Sequence, residues 1–267
     1  MKLNSTKSGL SKEQLISKII EKKEFSDLPI VDIENVFNKL NKPHYSDEEK
    51  IKLSRDMLRK IFSGFSSQKI FSLKDKSPEW HLSKHLSTRE RLPYFSEIYS
   101  KIFSGLPKKI SVIDLGAGIN GLSYSFFQEA GFKVDYTAVE SVGQLVNVMN
   151  DFFSKEKISA QAIKMSLFEL EKLEKIIQKT STPRVAFLFK VIDSLEAVQS
   201  DYSKKLIEIL MNSCERVVVS FATESMIKRT KFKANRNWII EFLAQNFKIL
   251  DDFSFGGEKF FVIAKKK

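Results

Sequence analysis

The residues most able to do chemistry lie in one stretch, Ser111-Val-Ile-Asp-Leu-Gly-Ala-Gly-Ile-Asn-Gly-Leu-Ser123. An apolar run ends in Gly116, Ala117, Gly118 and Gly121 and leads into a segment expected to be helical. Glycine lets the chain turn sharply and lets a ligand lie against main-chain atoms. A helix start offers free N–H groups and a positive dipole to an anionic group. Glu140 follows Gly118 by 22 positions, at the end of the next apolar run, where a carboxylate can accept ribose hydroxyls. This is also G-x-G-x-x-G followed by an acid, the dinucleotide fingerprint, so a nicotinamide-dependent oxidoreductase is one reading. Asp114, just ahead of the first glycine, argues for another ligand. A carboxylate there attracts an ammonium, directly or through water, and repels a pyrophosphate.

Other machinery is sparse. The sequence has no nucleophile elbow, no Walker loop, and three histidines, His44, His81 and His85. His81 and His85 stand four apart, a spacing that could put both on one helix face, but no carboxylate motif accompanies them. They are expected to be scaffold or RNA-side residues, and no metal site is expected. The one cysteine, Cys214, cannot form an internal disulfide and suits a reducing compartment. No apolar run approaches the roughly 20 residues that span a bilayer, and a cytoplasmic protein is expected.

The elements that must position the loop follow from periodicity. From Ile110 onward apolar runs alternate with helical segments, the pattern of a parallel α/β sheet. Strands are expected at 110–115, 136–140, 162–165, 185–190, 217–221, 247–255 and 259–264, the last two flanking a hairpin turn at Gly256-Gly257. The preceding part reads as helices. Ser11 with Gln14, and Ser46 with Glu49, make capping boxes, and a further helix is expected to open at Ser87 with Glu90 and to bend at Pro93. The segment 66–77 is expected to be a connector. Domains are expected at 1–84, helical and RNA-docking, and at 85–267.

The 267 residues carry 44 Lys+Arg against 33 Asp+Glu, net +11, which favours a polyanionic partner. Residues 1–109 hold 22 basic and 14 acidic residues, and residues 110–267 hold 22 and 19, so most of the excess precedes the sheet. Lys22, Lys23, Arg55, Arg59 and Lys60 are the expected basic surface there. A second is the acid-free loop 227–236, with Lys228, Arg229, Lys231, Lys233 and Arg236, expected to touch RNA backbone with salt-sensitive affinity.

The apolar-apolar-Asp-x-Gly-x-Gly pattern resembles motif I of class I methyltransferases, and the closing hairpin resembles the reversed last strand of their seven-stranded, Rossmann-like sheet. The order of segments is more particular. His85-Leu-Ser-Thr-Arg-Glu-Arg91, the loop, Phe189-Lys-Val-Ile-Asp-Ser-Leu-Glu196 and Ser220-Phe221-Ala222 together resemble the aminoglycoside-resistance 16S rRNA guanine-N7 methyltransferases, the Arm/Rmt or FmrO-like family. The resemblance implies S-adenosylmethionine as cofactor and small-subunit rRNA, or the 30S subunit, as partner of a monomeric enzyme. It implies that Arg91 holds the cofactor's carboxylate, that Gly116 and Gly118 form its loop and that Glu140 takes the ribose. Ser166 and Leu167 then lie by the adenine, Gln199 lines the cofactor, and Phe189 leads to the substrate side. Asp193, Ser220 and Phe221 become target-pocket candidates, with Trp238 a further stacking platform. The chain departs from the family pattern at Gly121 and Ala222, where the family has proline, at Ser166, where it has aspartate, and at Asp193, where it has proline. Another RNA or base atom, or an inactive cofactor-binding assembly factor, stays open on these residues.

Overall fold

A computed structural model describes residues 9–63, 76–223 and 236–266. The chain divides into two compact units, Met1–Gly64 and Phe65–Lys267. In the first, α1 (Lys12–Ile20), α2 (Ile30–Leu40) and α3 (Asp47–Leu58) pack on one another, and α3 runs on through a wider turn at Arg59–Ser63. Both capping boxes form, Ser11 with Gln14 and Ser46 with Glu49. Leu15, Ile19, Phe25, Ile33, Val36, Phe37 and Leu58 are buried within this unit.

The second unit is built on a seven-stranded sheet. Its strands are β1 (Lys109–Leu115), β2 (Lys133–Glu140), β3 (Ala160–Lys164), β4 (Arg184–Phe189), β5 (Arg216–Ala222), β6 (Phe247–Phe255) and β7 (Glu258–Lys265), in the order β3-β2-β1-β4-β5-β7-β6. The first five are parallel, and β7 runs antiparallel between β5 and β6. All seven expected strands are present with ends shifted by three residues at most.

Side chains alternate across the pleat. Val112, Tyr136 and Phe187 face one core, and Ile113, Ala186 and Leu188 the other. The first core is rich in aromatic rings: Tyr99 packs against Phe103, Phe127 and Phe187, and Phe103 against Phe127 and Phe187, with centroids 4.1–6.1 Å apart. Helices α6 (Phe95–Phe103), α7 (Tyr124–Glu129) and α8 (Gly143–Lys155) cover that face, while α9 (Leu170–Lys179), α11 (Tyr202–Ser213) and α12 (Asn237–Asn246) cover the other. A short α10 (Ile192–Val198) follows β4.

Three local expectations are corrected. Helix α4 (Pro78–Lys84) precedes the sheet, with Leu82 in the first core, so the sheet unit begins earlier than the expected division after Lys84. Ser87 caps no helix. The chain breaks at His85, restarts as α5 (Leu86–Arg91) and passes through a tighter turn at Leu92–Tyr94, where Pro93 produces the expected bend. His85 is the extended residue between α4 and α5, so His81 and His85 do not share a helix face.

The two-unit division also moves the charge. Residues 1–64 hold 13 basic and 10 acidic residues, net +3, and residues 65–109 hold 9 and 4, net +5. The larger share of the early excess belongs to the segment attached to the sheet.

Candidate functional site

In an open parallel sheet, ligands bind beyond the carboxyl ends of the strands where the strand order reverses. Here that point lies between β1 and β4, and the chain leaves both strands in unusual conformations. After β1, Gly116 and Gly118 have φ of +68° and +58°, and after β4, Lys190 has φ of +57°. Left-handed lysine is strained, and such strain gathers at functional sites. A Cβ on Gly116 would stand 2.8 Å from Val191 Cγ2, so both the φ and the packing demand glycine.

The loop is fixed from below. The N–H groups of Gly116 and Ala117 donate to the Val139 carbonyl at 2.9 and 3.2 Å, tying the loop to β2. Asp114 is 1% exposed, and its Oδ2 accepts from Tyr136 Oη and Asn120 Nδ2, both at 2.7 Å. Burial pushes this carboxyl upward, against the lowering effect of those hydrogen bonds and of Arg91. Asp114 therefore anchors the loop through Tyr136 and Asn120, a role that the expected attraction for an ammonium did not include.

Glu140 closes β2. Its Oε2 accepts the Gly118 N–H and its Oε1 the Val142 N–H, each at 2.9 Å, which orients the carboxylate at the loop. Leu167 is buried, with Cδ1 3.8 Å from where a Gly116 Cβ would be, and its carbonyl accepts Tyr202 Oη at 2.5 Å. Ser166 is wholly buried and its Oγ accepts the Phe168 N–H at 3.1 Å, so the hydroxyl shapes the turn after β3. Gln199 is exposed at the end of α10.

The segment from His85 to Arg91 explains itself residue by residue. Thr88 Oγ1 donates to the Leu82 carbonyl at 2.7 Å and staples the break between α4 and α5. His85 is 5% exposed and packs on Gly118, where a Cβ would stand 3.0 Å from its Cε1. Burial, reinforced by Arg91 and Lys190, pushes its imidazole down to about 3, and its Nδ1 has no hydrogen-bond partner. His85 is thus a neutral residue packed against the loop.

Arg91 is 2% exposed. Its guanidinium lies 4.9 Å from the Phe189 ring centroid and 5.9 Å from that of Phe95, and its Nη1 pairs with Glu258 Oε1 at 3.3 Å. Its Nε has no partner. Glu90 pairs instead with Lys190 Nζ, which also lies 3.1 Å from Glu258 Oε2. Ser220, expected in a target pocket, is wholly buried: its hydroxyl donates to Glu258 and accepts the Lys190 N–H at 3.1 Å. Phe221 is likewise a core residue, 3% exposed, edge-on to Phe261. Trp238 is part-buried at the second core, under Lys204. Glu258 was missed; its only sequence signal is an acid one residue past the Gly256-Gly257 turn, opening an apolar strand.

The expected RNA contacts divide. Lys22, Lys23 and Lys60 are exposed. Arg55 donates to the Lys18 carbonyl, and Arg59 is paired at the surface with Glu24 at 2.7 Å and Asp56 at 2.9 Å. Arg236 turns inward, pairing with Asp193 at 2.5 Å, donating to the Ala222 carbonyl and lying over Phe221. Asp193 itself is half-exposed. Lys228, Arg229, Lys231 and Lys233 lie outside the described residues.

Among solved structures, the chain resembles the 16S rRNA methyltransferase RmtF in complex with S-adenosyl-L-homocysteine. The TM-score is 0.74 at 18% identity, covering 97% of this chain and 100% of that one. The 16S rRNA methylase RmtB gives 0.71 at 20% identity, covering 95% and 98%. These likenesses establish the class I methyltransferase fold. A 16S rRNA (guanine(1405)-N(7))-methyltransferase of Micromonospora echinospora is 27% identical over 150 residues, 56% of this chain and 51% of that protein. One of Proteus mirabilis is 25% identical over 196 residues, 69% and 64%. The matched part thus spans about half the length of the first relative and under two-thirds of the second. The family model described as ribosomal RNA methyltransferase (FmrO) matches residues 57–246, from the end of α3 through the glycine loop to the end of α12, and the chain belongs to that family.

Proposed function

We propose that this protein transfers a methyl group from S-adenosylmethionine to a guanine N7 of 16S rRNA in the small ribosomal subunit. The observation that carries the reading is the buried Arg91 guanidinium, within electrostatic reach of Asp114 and of the loop-packed His85, held on Nη1 and partnerless at Nε. A planar guanidinium grips a carboxylate with two parallel hydrogen bonds, and an unpartnered buried donor is costly unless a ligand takes it. The rest of the site fits the same cofactor. Glu140, fixed by two backbone N–H groups, stands where ribose hydroxyls donate, and Leu167 offers an apolar wall near the Gly116 turn.

The bound cofactor supplies an electrophilic methyl on a positively charged sulfur. Guanine N7 carries a lone pair and no proton, so the protein has no proton to remove. That agrees with His85, whose value near 3 makes it a weak base. The task left to the chain is alignment within a confined pocket, with reacting atoms about 3–3.5 Å apart. Asp193, half-exposed and oriented by Arg236, is the polar side chain we assign to the target side.

The test is incubation with methyl-labelled S-adenosylmethionine and, separately, purified 30S subunits, protein-free 16S rRNA and tRNA, followed by mapping of the modified nucleotide. Label at a guanine N7 of 16S rRNA is expected. Label in tRNA or protein, or at another atom, would overturn the assignment.

A further inference from the structure

Glu258 is wholly buried, yet no part of the proposed chemistry uses it. Three elements converge on its carboxylate. Oε1 meets Arg91 Nη1 from α5 at 3.3 Å and the Ser220 hydroxyl from β5, and Oε2 meets Lys190 Nζ from the end of β4 at 3.1 Å. The hairpin is built to deliver it. Gly256 has φ of +54°, and a Cβ there would fall 2.1 Å from the Glu90 carbonyl oxygen, so only glycine lets the turn before β7 press against α5. Glu258 also stands in register with Ala222 at the carboxyl end of β5, level with the site.

The geometry points to Glu258 as the positioning residue of the cofactor's carboxylate site. It acts through Arg91, and this inference rests on the reading that Arg91 receives that carboxylate. The atom it engages matters. In a guanidinium Nη1 lies on the Cδ side, whereas Nε–H and Nη2 form the side-on fork that matches a carboxylate. Glu258 holds Nη1, and Phe189 and Phe95 lie 4.9 and 5.9 Å from the guanidinium carbon. The guanidinium is thereby fixed with its fork edge turned away from Glu258. Lys190 faces the second oxygen as an ion partner, and the Ser220 hydroxyl donates to the first and fixes its position along β5. Arg91 is in this way oriented before any ligand arrives.

The experiment compares S-adenosylhomocysteine with 5′-methylthioadenosine, which keeps the nucleoside and lacks the amino-acid end. Affinities are measured by calorimetry for the full chain and for Glu258→Ala, Glu258→Gln and Arg91→Ala. Glu258→Ala should weaken S-adenosylhomocysteine at least tenfold and leave 5′-methylthioadenosine within threefold. Glu258→Gln keeps an acceptor for Nη1 and should restore the homocysteine preference to within about threefold of the parent. Equal weakening of both ligands by Glu258→Ala means a general structural role and overturns the inference, as does a Gln variant no better than Ala. Should Glu258→Ala fail to fold, the Gln variant and its ligand ratio decide alone. The underlying reading has its own control. If Arg91→Ala leaves the preference for S-adenosylhomocysteine intact, the carboxylate site is elsewhere; if Arg91→Ala abolishes it and Glu258→Ala does not, only Glu258's role is refuted.

Discussion

Lowering the pH from 8 to 5 should destabilise the sheet unit through His85. The imidazole is 5% exposed, packed on Gly118 and flanked by the cations of Arg91 and Lys190, and its folded value lies near 3 against an ordinary 6.5. A depressed value means that the unfolded chain binds more protons throughout the window between about 3 and 6.5. Stability is therefore full above that window and falls as the pH falls through it. At pH 5 the unfolded imidazole is protonated and the folded one is not. At about 1.36 kcal/mol for each of roughly 1.5 pH units below 6.5, this removes about 2 kcal/mol relative to pH 8. For a unit of this size that corresponds to a fall of roughly 4–8 °C in melting temperature. Carboxylates also titrate in this range, so the assay is the difference between the parent and His85→Gln, melted side by side at pH 8, 6.5 and 5. The parent should lose stability more steeply than the variant between pH 6.5 and 5. Parallel curves would refute the reasoning, because the buried imidazole would then be titrating as it does in the unfolded chain.

Three further outcomes follow from the loop and its surroundings. Gly116→Ala places a side chain at φ +68° against Val191, and should cost at least about 1–2 kcal/mol in thermal unfolding and sharply reduce S-adenosylhomocysteine binding in calorimetry. Tyr136→Phe removes one of two donors to Asp114 Oδ2; a hydrogen bond to a charged group is worth about 1.5–3 kcal/mol, read as a melting temperature lower by roughly 3–10 °C. Arg236→Ala should leave the salt dependence of rRNA binding unchanged, because its charge is committed to Asp193 and the Ala222 carbonyl; a slope reduced by about one would show that it meets phosphate instead.

Much of the sheet was legible because its signal is local. Apolar runs such as 185–189 and 217–221 are buried on both faces, and a buried strand announces itself in a few consecutive residues. The capping boxes at Ser11 and Ser46 are equally local and both form. The same signal misled at Ser87, where a serine three residues ahead of a glutamate read as a cap. Thr88 ties that turn to Leu82, and Glu90 is drawn off to Lys190, a hundred positions away in sequence. Long-range partners of this kind leave no spacing to read. Arg91 could be singled out by likeness, but its counter-ion Glu258 follows it by 167 positions on the last strand, and only the reversed hairpin joins them. The burial of Ser220 and Phe221 was hidden for a similar reason, since it depends on how β5 meets β7 and α12 rather than on local spacing.

The cluster around Arg91 also changes what the net charge means. Burying an unpaired guanidinium costs several kcal/mol, and one partner compensates it only if that partner's own charge is answered. Here Glu258 answers Arg91, Lys190 answers Glu258, and Glu90, whose side chain is 23% exposed, answers Lys190 and reaches solvent. These two cations and two carboxylates balance one another in a protein whose sequence carries +11. The amino-acid end of S-adenosylmethionine is itself zwitterionic. On the proposed reading this balanced cluster accepts it without adding net charge, and its carboxylate gains from Arg91's orientation more than from surplus positive potential. On that reading the excess of basic residues is not what holds the cofactor, and part of it stands exposed on the first unit at Lys22, Lys23 and Lys60.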